Sequence, residues 1–246
     1  MKISKSHLLD GKTISITGSK SISNRLLILG KLFGDLKIEN LSNSQDTQLL
    51  QKALNEDSET VDIHHAGTAM RFLTSFYAIQ EGRKTILTGS ERMKQRPIKP
   101  LVDALRELGA EINYLENEGF PPLEIHGKRI EKNFVKIPAN ISSQFITSLL
   151  LIGASLENGL EIELKGEITS RSYIKMTLKI LKDIGIESRF ERNSIKILSS
   201  ETSLYNKQLE KHFHTSKIKH YTVESDWSSA SYFDSLVAIG KKKMHL

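Results

Sequence analysis

Two short cationic segments each stand where an apolar helix should begin: Gly18-Ser19-Lys20-Ser21-Ile22-Ser23-Asn24-Arg25 and Ala66-Gly67-Thr68-Ala69-Met70-Arg71. Each combines backbone N–H groups left open at a helix start, hydroxyl donors and fixed positive charge, which suits a phosphate or a carboxylate. Three further segments share this character: Arg92-Met93-Lys94-Gln95-Arg96-Pro97-Ile98, Ser142-Ser143-Gln144 and Ser170-Arg171-Ser172-Tyr173. Taken singly, each also reads as a capped helix or a solvated loop. Arg71, among apolar neighbours, needs an anionic partner, either a ligand or a structural salt bridge. Pro97 is expected to help start the helix that follows the cationic loop. A P-loop is excluded by spelling, because Gly11-Lys12-Thr13 would need Gly at position 6, where Ser6 stands.

The elements that must position these residues repeat. Leu101 to Ile112 reads as an amphipathic helix, a Gly stop and a strand, and Leu178 to Ser188 repeats that plan with Gly109 and Gly185 76 positions apart (185 − 109). The same shift carries Ala66-Gly67-Thr68 onto Ser142-Ser143-Gln144, and both triplets open apolar helices, Ala69 to Ile79 and Phe145 to Leu156. A looser third copy starts near Asp46, with its amphipathic helix over Thr47 to Leu54. Hairpins are expected at Ile112–Leu115 with Leu123–His126, and at Ser188–Glu191 with Ile195–Leu198. Three such units fill roughly residues 15 to 224 and pack about a common axis. The triplet-opened helices are apolar on nearly every face, so they belong inside, with sheets outside.

Composition narrows the function. The chain has 246 residues and a net charge of +6, and its lysines are spread along its whole length. Aromatic residues make up 7% with a single Trp, too few for base-stacking platforms. There is no cysteine, hence no disulfide, thiolate metal site or cysteine nucleophile. No apolar run reaches membrane-span length, no signal-peptide core follows the basic start, and a cytoplasmic location is expected.

The order of the motifs resembles the 5-enolpyruvylshikimate-3-phosphate synthase family of the shikimate pathway (aromatic amino acid biosynthesis). The resemblance runs from about Gly18 to Phe233, through Lys20-Ser21 to Arg25, Ala66 to Arg71, Arg92 to Ile98, Ser142-Ser143-Gln144-Phe145, Ser170 with Tyr173, and Ser225 to Phe233. It implies an α+β fold, the α/β prism or inside-out barrel of three βαβαββ units, present twice in the family. It also implies a transferase in which the 5-hydroxyl of shikimate 3-phosphate attacks phosphoenolpyruvate and phosphate then leaves, with no metal or organic cofactor. By resemblance, Ser21 and Arg25 hold the shikimate carboxylate. Ser142, Ser143 and Ser170 hold its phosphate, and Gln144 and Tyr173 line the ring. Lys20 reaches between the two substrates as the catalytic lysine, Arg92 binds phosphoenolpyruvate with Gln144 beside it, and Thr68 and Arg71 support the loop from behind. Gly67 leaves room where glyphosate competes, so a larger side chain there should weaken that inhibitor. Partners are thus small anions, with no nucleic acid or membrane, and a monomer is expected.

The sequence also departs from the family pattern. His65 stands where Asn is common, and Phe72 where Pro is common. A metal site at His64 and His65 is not expected, because adjacent histidines point apart, nor is one at His212, His214 and His220. Residues 15–224 are expected to form the first domain. Residues 1–14 and 225–246 should belong to or cross toward a second domain and expose an apolar edge. The ending Gly240 to Leu246 does not read as the expected strand and resembles a truncation or frameshift scar. With the general acid and base expected beyond residue 246, the chain should supply only the shikimate 3-phosphate half-site. Two other readings stay open: a UDP-sugar enolpyruvyl transferase relative, whose usual reactive Cys loop is absent here, and a non-catalytic anion- or nucleic-acid-binding module.

Overall fold

The structure, a computed structural model, describes residues 9–34, 36–199, 220–241 and 243–245. Its first four-stranded sheet has the order β3-β4-β6-β5, built from β3 (Thr60–Asp62), β4 (Lys84–Thr88), β5 (Glu111–Tyr114) and β6 (Leu123–His126). The second repeats it as β7-β8-β10-β9, from β7 (Phe134–Pro138), β8 (Leu160–Lys165), β9 (Ser188–Glu191) and β10 (Ser194–Ile197). In each sheet the first two strands are parallel and the remaining pairings antiparallel. The helices α3 (Gly67–Ala78) and α6 (Ser143–Gly153) cross between the parallel strands, while α5 (Lys99–Leu108) and α7 (Arg171–Asp183) lead into the hairpins. Both units are therefore βαβαββ, as the repeat predicts.

Burial follows the two helix patterns. In α3 every residue except Thr68 is buried, and in α6 every residue from Phe145 to Gly153. By contrast, α5 buries one stripe, Leu101, Val102, Ala104, Leu105 and Leu108, and stops at Gly109, whose φ of 110° supplies the left-handed turn. α1 (Lys20–Phe33) and α2 (Gln45–Asn55) take the inner and amphipathic places of the remaining unit. α1, α3 and α6 pack against one another, and α1, α2, α3, α5, α6 and α7 form a closed ring of neighbours. The core thus lies among helices, and the sheets cover it.

The strand directions fix the helix directions. A helix joining two parallel strands of one sheet runs antiparallel to both. β5 is antiparallel to β6, which is antiparallel to β4, so β4 and β5 are parallel and α5 runs with α3; the same holds for α7 and α6. Within each unit, then, both helix N-termini lie at one end.

Sequence order could not show how the first unit closes. Its inner strand β2 (Lys37–Glu39) pairs in parallel with β11 (His220–Thr222), so the unit's outer strand comes from far along the chain. His220 is therefore part of a sheet edge, 2.7 Å from Glu39, while His212 and His214 lie outside the described residues.

Several local expectations are corrected. Residues Glu91–Lys94 form a short helix, α4, capped by Ser90, and the proline in the first turn of α5 is Pro100, with Pro97 ahead of the cap residue Ile98. The chain end does form a strand: β12 (Met244–His245) pairs in parallel with β1 (Lys12–Thr13), because ladder hydrogen bonds need backbone alone and not an alternating side-chain pattern. His64 and His65 do not point apart. A left-handed φ of 47° at His64 turns its ring so that the two Nδ1 atoms meet at 2.7 Å. The last helix, α8 (Trp227–Gly240), buries only Ala230 and leaves Trp227 73% and Ile239 82% exposed.

Candidate functional site

Five of the six ring helices have no acidic residue in the first turn, α2 with Asp46 being the exception. Helix starts usually attract Asp or Glu, so their absence leaves the positive end of each dipole unmatched. At α1, α3 and α7 the cap residues Ser19, Ala66 and Ser170 make no side-chain cap hydrogen bond. Ser142 does cap α6, accepting from the Gln144 N–H at 3.3 Å.

Side chains from the early turns tie these helices together. Arg25, in the second turn of α1, donates from Nε to Thr177 Oγ1 of α7 at 2.8 Å, from Nη1 to the Ser21 carbonyl at 2.5 Å and from Nη2 to Thr147 Oγ1 of α6 at 3.4 Å. Its guanidinium lies over the rings of Phe72 at 5.8 Å and Tyr173 at 5.9 Å. Gln144 Nε2 donates to Thr68 Oγ1 at 3.4 Å, joining the first turns of α6 and α3. Ser148 Oγ donates to the Arg71 carbonyl at 2.6 Å and meets Ser75 Oγ at 2.6 Å one turn deeper.

The electrostatics of Arg25 are unusual. The residue is 4% exposed, yet among the described residues no carboxylate lies within ion-pair distance. Burial pushes its pKa down to about 10, opposed only by the nearby Tyr173. It stays charged at neutral pH, held by neutral oxygens and aromatic faces. Lys20 and Ser21 line a cavity of about 530 Å³ with Ser19, Ser44, Tyr173, Met176 and the Glu224-to-Ser228 segment. That segment is held to the start of α1 by Ser19 N–H to the Glu224 carbonyl at 2.8 Å and Asp226 N–H to the Thr17 carbonyl at 2.9 Å.

Arg71 is a second buried cation, 4% exposed, and it is not in a salt bridge among the described residues. Nη1 donates to the Gly67 carbonyl at 3.1 Å, Nη2 to the Pro97 carbonyl at 3.0 Å, and Nε has no partner. Burial first, then the positive charge of Arg96, pushes Arg71 down to about 10, with Asp46 opposing.

The expected residues thus fall into two connected groups. Arg25 joins Ser21, Tyr173 and α6 on one side, with Lys20 on the shared cavity wall; Gly67, Thr68 and Gln144 meet on the other. Ser142, Ser143 and Ser170 stand at the starts of α6 and α7, as the spacing predicts. Arg92 is exposed on α4, and among the described residues no hydrogen bond or ion pair joins it to either group. Three contributors were missed: Thr147 and Thr177, which hold Arg25, and Arg96, whose guanidinium fills the space beside Gly67. Threonine on the buried face of an otherwise apolar helix is the signal that could have found the first two.

A prism of helices whose starts carry hydroxyls and cations is a scaffold suited to anions, and comparison with known proteins gives its lineage. Residues 50–246 match the family model for EPSP synthase (3-phosphoshikimate 1-carboxyvinyltransferase), and the chain belongs to that family. A 3-phosphoshikimate 1-carboxyvinyltransferase of Bacteroides fragilis is 48% identical over 228 residues, covering 92% of this chain and 52% of its own length. One from Haemophilus influenzae is 40% identical over 265 residues, covering 94% and 58%. The structure of EPSP synthase from Acinetobacter baumannii shares the fold, with a TM-score of 0.70 at 19% identity, over 95% of this chain and 54% of that one. The chain spans about half the length of the curated relatives it matches. Among the described residues no helix is long and apolar enough to cross a membrane.

Proposed function

We propose that this chain supplies the shikimate 3-phosphate half of an enolpyruvyl transferase site, with residues 15–224 as its first domain and residues 1–14 and 225–246 crossing toward a second. The observation that carries this reading is Arg25, a buried guanidinium with no carboxylate partner among the described residues, ringed by hydroxyls and aromatic faces at the starts of α1, α6 and α7. A carboxylate ligand there would supply the missing charge, with Ser21 as its second contact. Ser142, Ser143 and Ser170 would take the phosphate on the starts of α6 and α7, and Gln144 and Tyr173 would flank the ring.

In the reaction, the 5-hydroxyl oxygen of shikimate 3-phosphate gives up its proton to a base and forms a bond to the central carbon of phosphoenolpyruvate, while the methylene carbon of phosphoenolpyruvate takes a proton from an acid. The adduct then loses a proton from that methyl group as the carbon–oxygen bond to phosphate breaks. The substrates are both highly anionic, so the protein's chief task is to hold them together against their repulsion. Lys20, on the cavity wall beside Ser21 and Tyr173, is suited to reach between them. Arg92 and the start of α3 at Gly67 would hold phosphoenolpyruvate, or glyphosate in its place, with Thr68 and Arg71 behind. We assign the proton-transfer acids to the second domain. The protein is read as a cytoplasmic monomer.

The test is calorimetric titration with shikimate 3-phosphate and with shikimate, alongside a phosphate-release assay against a full-length relative. Binding that requires the phosphate, with negligible turnover, is expected. No binding refutes the site, and turnover equal to the relative's refutes the half-site assignment.

A further inference from the structure

His64 and His65 lie in the link from β3 to α3, and the turn that carries them is fixed by its backbone. The Ile63 N–H donates to the Thr88 carbonyl at 3.1 Å, the Ala66 N–H to the Ile63 carbonyl at 2.9 Å, and the Ser90 N–H to the His64 carbonyl at 2.9 Å. Ile63 and Ala66 are buried on either side of the pair. A Cβ on Gly89 would stand 2.5 Å from the His64 carbonyl oxygen, so the bare glycine lets the two backbones close on each other. Asp62 Oδ1 accepts from the His64 N–H at 2.7 Å and holds a negative charge beside the turn. Within this frame His64 keeps its left-handed φ of 47°, a conformation few residues other than glycine adopt.

The frame brings two ring nitrogens to one point. The Nδ1 atoms are 2.7 Å apart, and the exposed rings stand at 90° to each other. His126 and His220 each meet a glutamate, at 2.9 and 2.7 Å, but among the described residues neither His64 nor His65 meets a carboxylate. Two imidazole lone pairs at such a distance repel, so something positive must lie between them: one proton shared by the rings, or a metal ion in its place. Nitrogens held about 2.0–2.1 Å from one ion are about 2.9 Å apart at a right angle and about 3.3 Å apart at a tetrahedral angle. The spacing here is nearer that of neighbouring ligands in a square-planar or octahedral shell than that of a tetrahedral zinc site.

We propose that His64 and His65 form a two-nitrogen chelate, through Nδ1 of each ring, for a divalent first-row metal ion that favours right-angled ligands, Ni(II) or Cu(II). Neutral imidazole suits these ions, whereas Mg(II) and Ca(II) prefer oxygen. Among the described residues no group of three or more His, Cys, Asp or Glu converges, so the protein supplies two ligands and water the others. The protons balance. As the ion arrives, the proton shared between the Nδ1 atoms moves to Nε2 of its own ring, so both rings stay neutral and no net proton is released. The site uses none of the residues assigned to either substrate and does not rest on the enolpyruvyl transferase reading.

The experiment is calorimetric titration of the whole, untagged chain with nickel, zinc and magnesium chlorides. It is done in a His212→Gln, His214→Gln background, which removes the other closely spaced histidines of the sequence. One Ni(II) should bind per chain, more tightly than Zn(II), and Mg(II) should not bind. His64→Asn and His65→Asn should each weaken Ni(II) at least about tenfold. Asn accepts the left-handed φ, so His64→Asn keeps the turn, and both variants should melt as the parent does without metal. The paramagnetic resonance spectrum of the Cu(II)-loaded chain should show two ring nitrogens, and that of each variant one. No Ni(II) binding, binding that survives either substitution, tighter Zn(II) than Ni(II), or a single nitrogen in the parent spectrum would each overturn the proposal.

Discussion

Replacing Arg25 by Met separates a ligand-binding cation from a structural one. Its pKa near 10 places the cost of keeping the buried charge on the order of 3 kcal/mol. The sign is that of a base whose pKa falls on folding: the cost is full below about pH 10 and disappears only as pH rises toward the unfolded value. Three hydrogen bonds, at 2.5, 2.8 and 3.4 Å, offset it. Met keeps most of the packing against Phe72 and Tyr173 and removes both the cost and the bonds. Unliganded Arg25→Met should therefore stay within about 1–2 kcal/mol of the native chain, where breaking a buried ion pair would cost about 3–5 kcal/mol. Ligand should divide the two proteins. Shikimate 3-phosphate at about 100 times its Kd stabilises by about 2.7 kcal/mol, which raises Tm by roughly 5–10 °C for a chain of this size. Losing a charge-assisted contact of about 2 kcal/mol at the same concentration leaves roughly 2–3 °C. Differential scanning fluorimetry with and without ligand reads both quantities. A variant that loses about 4 kcal/mol unliganded, yet keeps the full ligand shift, would show Arg25 to be structural and refute the reasoning.

Cap chemistry should distinguish the serines. Ser44 accepts from the Thr47 N–H, so Ser44→Ala should cost about 1 kcal/mol in urea denaturation, while Ser170→Ala, with no cap bond to lose, should leave stability unchanged and weaken shikimate 3-phosphate. Two glycines should part in the same way. A Cβ at Gly18 runs into the Asn40 backbone carbonyl, so Gly18→Ala should cost several kcal/mol, whereas Gly67→Ala meets only the movable end of Arg96 and should hardly change Tm. Glu39 is held below the usual carboxylate range by its hydrogen bond to His220 and then by Lys37. Its contribution to the β2–β11 pairing is present above the unfolded carboxylate pKa and lost as pH falls through the lower folded value. The exchange protection of the Tyr221 amide, relative to its intrinsic rate at each pH, should therefore fall in acid, and Glu39→Gln should flatten that acid limb.

The two complete units were legible in the sequence because hydrophobic period and spacing agree: α3 and α6 begin 76 positions apart (143 − 67), as do β4 and β8 (160 − 84). The hairpins fall within a residue of their expected strands, since the turn residues between them punctuate the pattern. The first unit was less legible because its outer strand, β11, is supplied from residues 220–222, and no local pattern records a pairing partner so distant. At the site, the types that cap or bind were visible and their allegiance was not. Lys94 and Arg96 are two positions apart in one cationic run, yet one is matched by acids on α4 and at Glu116 and the other by none among the described residues. Which cation is neutralised depends on what the fold brings opposite it. The histidine pair was misread for a similar reason: a single left-handed φ at His64 reverses where its ring points.

The prism itself explains why these helix starts suit an anion. Parallel neighbours align their dipoles head to head, which is unfavourable, and the usual relief is an acid or a cap at each start. Here α1, α3 and α7 have neither, and the early turns hold Lys20, Arg25, Arg71 and Arg171, so charges of one sign are gathered on top of aligned dipoles. Apolar packing of α1, α3 and α6 supplies the stability that this arrangement loses. The imbalance is relieved only when something negative arrives, and each additional negative group on the ligand relieves more of it. A ligand with two anionic groups, such as shikimate 3-phosphate, should therefore stabilise the fold more than shikimate by more than one phosphate contact accounts for. The excess should shrink as salt screens the exposed starts at Lys20 and Arg171 but persist at buried Arg25. A melting-temperature difference between the two ligands that falls to zero in high salt would place the whole effect at the surface and contradict this account.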